Sequence, residues 1–229
     1  QLGPHRLMCG DSTKADHVRQ LMAGERAVMC ATDPPYLVDY DGDNHPQSYE
    51  REQAGQSNNK RWDAYIDPES SVAFFANFIR VAMEVALVEN PAWYHWHASK
   101  RQALVEQAWE QNGLLVHQQI IWVKPRPVLT RSHFMWQHEP CIYGWVQGKQ
   151  PSKRPPVSGE CTTVWEVAGE SDGIHPTQKP LEIFGRPIQY HTAPGDLVYE
   201  PFGGSGSQMI AAAQAGRRCF SMELSPAFC

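Results

Sequence analysis

Short apolar runs of strand character alternate along this chain with stretches whose apolar positions recur at helical spacing. His5–Cys9, Ala27–Ala31, Trp93–Trp96, Leu114–Val123, Cys141–Val146, Asp196–Glu200 and Arg218–Met222 predict strands. Helices are predicted over Thr13–Ala23, closed by Gly24, and over Lys100–Gln111, with Gly113 behind it. Two more are predicted over Leu181–Tyr190, interrupted by Pro187, and over Ser205–Ala215. Asp67 followed by Pro68 reads as an N-cap with proline at the first helical position. The helix it opens carries Phe74, Phe75, Phe78, Ile79, Ala82 and Val85 and ends near Asn90 and Pro91. Strands alternating with helices predict an α/β domain on a largely parallel sheet.

Two polar stretches interrupt the pattern. Leu37 to Trp62 is rich in Asp, Asn, Gln and Ser, and Gly148 to Glu160 in Pro, Ser and Lys. An aperiodic loop as long as the first is usually either functional or disordered. There are no internal repeats and no domain boundary. At 229 residues, the chain suits one buried core better than two, so residues 1–229 are expected to form a single domain.

Composition narrows the class. Apolar residues make up 41% and charged residues 20%, a globular balance and not a disordered one. The sequence holds no apolar run long enough to span a bilayer and no apolar core behind Gln1 for a signal peptide, which predicts a cytoplasmic protein without a membrane partner. The chain begins without Met and ends at Cys229, just where Ser225 and Pro226 open a helix-like pattern, so a C-terminal continuation is expected. The six cysteines form no Cys-x-x-Cys pair and the histidines scatter, which predicts reduced thiols and no metal set.

The net charge of -5 means that any attraction to nucleic acid must be local. One stretch qualifies: Lys124, Arg126, Arg131, Lys149, Lys153 and Arg154, with Glu139 the lone carboxylate among them. Asp39, Asp41 and Asp43 give the early loop the opposite sign.

Three motifs carry chemistry. Asp33-Pro34-Pro35-Tyr36 follows the second predicted strand, at the carboxyl end where open α/β sheets bind ligands. Two prolines stiffen the backbone and offer carbonyls without amide donors. A flipped base with an exocyclic amine could donate to Asp33 and to the Pro34 carbonyl while stacking on Tyr36. Accepting both protons frees the nitrogen lone pair to attack a methyl sulfonium. An ordinary turn uses the same residue types, and the strand-end position is what favours chemistry.

Glu200-Pro201-Phe202-Gly203-Gly204-Ser205-Gly206 lies between a strand and an Ala-rich helix, where glycines admit a ligand close to the backbone. Glu223 follows about 20 residues later at the end of the next predicted strand, placed to grip ribose hydroxyls. The third glycine of a dinucleotide fingerprint would fall on Met209, which favours an adenosine cofactor without a pyrophosphate. Thr177 and Lys179, within His175–Pro180, offer a hydroxyl and a point charge for a carboxylate. Alone, that segment is only a proline-flanked polar loop.

Taken in this order, the three motifs resemble the beta group of amino-methyltransferases acting on DNA. The resemblance extends to Cys9–Ser12, His138-Glu139 and Val164–Val167 and covers nearly the whole chain. It implies a Rossmann-like methyltransferase fold, with a twisted, mostly parallel sheet, helices on both faces and a circularly permuted motif order. It implies S-adenosylmethionine as cofactor and double-stranded DNA as substrate. A homodimer and a cognate restriction endonuclease are the partners it suggests. By the resemblance Asp33, Pro34, Pro35 and Tyr36 are catalytic, and Phe202, Gly203, Gly204, Ser205 and Gly206 wrap the methionine part of the cofactor. Glu223 holds the ribose, Asp11 sits by the adenine ring, and Thr177 and Lys179 meet the methionine tail. Two departures are mild: Glu200, counted with the cofactor-binding residues, stands where the family usually has Asp, and Ser207 where Thr is common.

Target recognition is expected across about residues 124–173. Lys124, Arg126, Arg131, His133, Lys153 and Arg154 are the candidate DNA contacts, and Phe134 and Trp136 the candidate wedges. The loop 37–62 is expected to close over the substrate. Asp at position 33, where cytosine-modifying relatives often carry Ser, favours adenine-N6 over cytosine-N4.

Overall fold

The computed structural model describes residues 1–37, 67–128, 133–157, 159–168 and 179–229. Eight strands form one sheet: β1 (Arg6–Cys9), β2 (Ala27–Thr32), β3 (Leu87–Trp96), β4 (Leu114–Val128), β5 (Trp136–Val146), β6 (Val164–Glu166), β7 (Leu197–Glu200) and β8 (Arg218–Glu223). Their order is β1-β8-β7-β2-β3-β5-β4-β6. Only β5 runs against its neighbours β3 and β4; the other pairings are parallel.

Alternation along the strands sends side chains to two cores. Cys30, Trp93, Tyr199 and Phe220 pack on one face, under α1 (Ala15–Met22), α2 (Pro68–Val81) and α3 (Gln102–Gln111). Met29, Ala31, Tyr94, Val198 and Cys219 pack on the other, under α4 (Leu181–His191) and α5 (Ser207–Gln214). The Rossmann-like plan with helices on both faces is therefore present. β1 pairs in parallel with β8, and Cys9 lies opposite Glu223. The first and last strands of the chain are neighbours.

Several boundaries moved. Asp67 caps α2 as expected, its side chain accepting from the Ser70 amide at 2.9 Å. The helix ends at Val81, however, and a π-helical turn over Ala82–Ala86 leads directly into β3 at Leu87. The apolar run through this junction fits both periods, and burial decides between them. Pro91 thus lies inside β3, where the β2–β3 register shifts between Ala27 and Met29. A proline cannot donate to the ladder, and the irregularity accommodates it. β4 and β5 each run past their predicted ends to form a two-stranded arm, with Val128 opposite Trp136. β6 was not predicted; three residues are too few for a periodicity to show. Pro187 sits within α4 without ending it. From residue 38 the early polar loop lies outside the described residues, as do parts of the predicted recognition region. No disulfide joins the six cysteines, all of them among the described residues, and no helix of the described residues is long and apolar enough to cross a membrane.

Candidate active site

The carboxyl ends of β1, β8, β7, β2 and β3 meet at one edge of the molecule. β7 and β2 are neighbours there, and Thr32 Oγ1 donates to Glu200 Oε1 at 2.9 Å. Asp33 and Phe202 therefore leave the sheet side by side.

The glycine loop is held in three ways. The Gly203 amide donates to the Met222 carbonyl at 2.7 Å. The Gly204 amide donates to Glu223 Oε2 at 2.8 Å. The Gly206 amide donates to the Gly203 carbonyl at 2.7 Å. Gly204 (φ +47°) and Gly206 (φ +78°) occupy the left-handed region that disfavours side chains, and a Cβ on Gly203 would lie 2.5 Å from Ser221 Oγ. Residues Phe202 to Gly206 are each partly open, while Pro201 and Ser207 on either side are buried. Phe202 stands edge-on to Phe78 with centroids 5.0 Å apart.

Glu223 is half-exposed at the end of β8, its Oε1 accepting from the Ser225 amide at 2.8 Å. Its carbonyl accepts from the Gly10 amide at 2.8 Å, which brings the Asp11 turn alongside. Asp11 Oδ1 accepts from the Thr13 amide and hydroxyl, at 2.9 and 2.6 Å. Glu200 differs from the expectation. It is 3% exposed, and its Oε1 receives Thr32 and the Phe202 amide, so it braces the loop from below instead of facing a ligand. Burial raises its carboxyl well above the usual range.

Beside the loop lies a cluster of charge. Lys179 Nζ is 2.6 Å from Asp33 Oδ2 and 3.1 Å from Glu139 Oε2. Lys124 Nζ is 2.5 Å from Glu139 Oε1. The Tyr36 hydroxyl donates to Glu139 Oε2 at 2.9 Å, and the Lys179 ammonium lies 5.0 Å from the centre of the Tyr36 ring. Ser207 Oγ donates to the Lys179 carbonyl at 3.0 Å, tying the start of α5 to the cluster. Burial alone would raise the Glu139 carboxyl; the lysines at positions 179 and 124 overcome it and hold the group at about 2. Burial likewise raises Asp33, with Lys179 opposing it. Asp33 Oδ1 is buried with no hydrogen-bond partner among the described residues. Buried acceptors are nearly always satisfied, so an orphan carboxylate oxygen at a strand end marks a place for an incoming donor.

The resemblance puts Lys179 at the methionine tail; in this structure its ammonium is engaged by the protein's own carboxylates. Its side chain is only 6% exposed. Glu139 was missed as a site residue. Its signal was in plain view, a lone carboxylate inside a basic stretch. The basic stretch itself does not stay together. Lys124, Arg126 and His133 lie on or beside the β4–β5 arm at the site end. β5 then crosses the sheet, about 36 Å for its 11 residues. Lys149 pairs with Glu89 near the start of β3, the Lys153 ammonium is held by the Thr192 carbonyl, and Arg154 donates to Gln150. Lys153 and Arg154 are thus at the far end, away from the motifs. Thr177 and Arg131 lie outside the described residues.

Comparison with known proteins bears on this arrangement. The sequence profile of N6/N4 methyltransferases, described as DNA methylase, matches residues 28–229. The chain belongs to the DNA methylase family. This methylase is 26% identical to YubD of Escherichia coli (strain K12) over 220 residues, covering 96% of this chain and 84% of that protein. It is 26% identical over 217 residues to the type II methyltransferase M2.DpnII of Streptococcus pneumoniae, covering 88% and 79%. Among solved structures it is similar to the M1.HpyAVI–SAM complex, with TM-score 0.68 and 19% identity over 97% of this chain and 95% of that one. It is also similar to the cytosine-N4-specific PvuII DNA methyltransferase, with TM-score 0.71 and 16% identity over 97% and 82%. These two likenesses are of fold. The family's methyl donor is S-adenosylmethionine, and the partly open glycine loop with Glu223 beside it fits an adenosine-bearing ligand.

Proposed function

We propose that this methylase, a member of the beta group, transfers a methyl group to the exocyclic N6 amine of an adenine flipped out of double-stranded DNA. The observation that carries the reading is the buried Asp33 Oδ1, set beside the glycine loop with no hydrogen-bond partner among the described residues. An amine donates two protons, and this corner offers two fixed acceptors: Asp33 Oδ1 and the carbonyl of Pro34. The Tyr36 ring, partly open and anchored through its hydroxyl, provides the stacking surface.

S-adenosylmethionine, held by the glycine loop and Glu223, supplies a methyl group on a cationic sulfur. Asp33 and Pro34 turn the nitrogen lone pair outward by accepting hydrogen bonds from both N–H groups of the amine. As the nitrogen gains positive charge, the Asp33 carboxylate stabilises it and stands where the surplus proton can be taken up. Asp11, beside Glu223, is assigned to the adenine end of the cofactor and Glu223 to its ribose.

The cytosine N4 amine presents the same two donors, and the fold is shared with a cytosine-N4 enzyme. Asp at position 33 favours adenine. Type II relatives by name suggest a cognate endonuclease as a partner. The deciding experiment incubates the protein with unmethylated DNA and labelled S-adenosylmethionine and identifies the digested nucleosides by mass spectrometry. N6-methyladenine is expected. N4-methylcytosine would keep the mechanism and change the base; label in neither would refute the reading.

A further inference from the structure

We propose that Lys179 and Glu139 are positioning residues of the transfer step: Lys179 pins Asp33 Oδ2 so that Oδ1 faces the amine, and Glu139 holds Lys179, Lys124 and the Tyr36 hydroxyl in one frame. This rests on the amine-methylation reading and adds residues that act through Asp33 and Tyr36.

The geometry carries it. One carboxylate oxygen of Asp33 is tied at 2.6 Å and the other has no hydrogen-bond donor within reach among the described residues. A carboxylate that swung freely would present either oxygen, and only a fixed one can be an aimed acceptor. Glu139 reaches across from β5 to two lysines and a phenol, at 3.1, 2.5 and 2.9 Å. Lys124 belongs to β4, whose far end forms the exposed arm. The frame therefore joins the arm, the stacking ring and the acceptor through one buried anion.

Charge completes the case. Burial disfavours an ionised Asp33, and the ionised form is the one that accepts at Oδ1 while Oδ2 holds Lys179. The groups facing Asp33 are Lys179 ahead of α4, Glu139 and Cys141 on β5, Tyr36 in its own motif, and Glu200 on β7. Lys179 is the cation of that set. The carboxylates at positions 139 and 200 and the thiol either oppose ionisation or are neutral.

The test measures single-turnover methylation against pH, and S-adenosylmethionine affinity by equilibrium titration, for the wild type, Lys179→Met and Lys179→Arg. The expected result for Lys179→Met is a loss of about 10²-fold in rate. Its acid limb should move up by about one to two pH units, because Asp33 then ionises less readily. The cofactor dissociation constant should stay within about threefold. Lys179→Arg should return the acid limb to the wild-type position. A cofactor affinity weakened tenfold or more, with the rate at saturation and the acid limb unchanged, would overturn the proposal and return the lysine to the methionine tail. If Lys179→Met fails to fold, Lys179→Arg decides alone: an unmoved affinity supports the frame and a weakened one overturns it. Failure of the amine reading shows separately, as a wild type that labels no base.

Discussion

The two ends of this sheet hold similar residues in opposite circumstances. At the carboxyl end of β2, Lys179 and Lys124 are drawn inward by Glu139 and Asp33, and among the described residues one carboxylate oxygen of this cluster stands unmatched. At the other end, Lys149 and Arg154 lie exposed, with partners that are themselves near the surface. Surface pairs of that kind contribute little, whereas a buried frame fixes geometry and makes one unmet acceptor conspicuous. Function therefore follows from how charges are enclosed and not from how many stand close in sequence.

The comparison breaks most sharply at Asp33. Asp33→Ala removes the unmet acceptor while Glu139 remains to hold Lys179 and Tyr36. Methyl transfer should fall by about 10³-fold or more, since a preorganised acceptor of developing charge is lost. S-adenosylmethionine should bind as before, because the glycine loop is untouched. Filter-bound label and cofactor titration check the two halves. Equal loss of both would place Asp33 in the cofactor site instead.

The second test concerns the enclosed anion. The Glu139 carboxyl is held at about 2, below its ordinary 4.5, by its two lysines. A depressed carboxyl contributes stability that is complete above the ordinary value and lost as pH falls towards the lowered one. Glu139→Gln should cost on the order of 2 kcal/mol near neutrality, less than a fully broken pair because the amide still accepts from Tyr36. The difference from the wild type should shrink between about pH 5 and pH 2. Urea midpoints across that range would show it, and a constant difference would mean that the frame is not charge-stabilised.

Much of this was legible in the residues. The Asp33–Tyr36 and Glu200–Gly206 motifs fall at the strand ends where the sequence placed them, and the pairing of β1 with β8 follows from which strands carry Asp11 and Glu223. What the sequence hid is long-range. Glu200 looks like a cofactor contact but is turned into the sheet, where Thr32, on a strand 168 residues away in sequence, and the Phe202 amide hold its carboxylate. Lys179 looks like a free cation, and its partners lie 146 and 40 residues away along the chain. The basic stretch looks like one patch, and β5 carries half of it to the other side.

A smaller effect is expected on the cofactor side. Gly203 lies against Ser221, and a methyl group would meet Ser221 Oγ at 2.5 Å. Gly203→Ala should push the loop outward and weaken S-adenosylmethionine binding by about tenfold, the lower end of an overpacking cost. Removing the obstructing oxygen with Ser221→Ala in the same chain should restore most of the affinity. No rescue would mean that the backbone, and not that contact, demands glycine.

The mildest test asks directly which end of the sheet meets DNA. Arg126 is exposed on the β4–β5 arm, and Arg154 is exposed at the far end. A side chain that displaces one counterion contributes about 0.9 to the slope of log affinity against log salt. Arg126→Gln should therefore flatten that slope by about one unit, so that affinity falls about threefold less between 50 and 200 mM salt. Arg154→Gln should leave the slope unchanged, since the sheet separates it from the flipped base. Equal flattening by both would require DNA to wrap the whole length of β5, and the asymmetry between the two ends would then be one of burial alone.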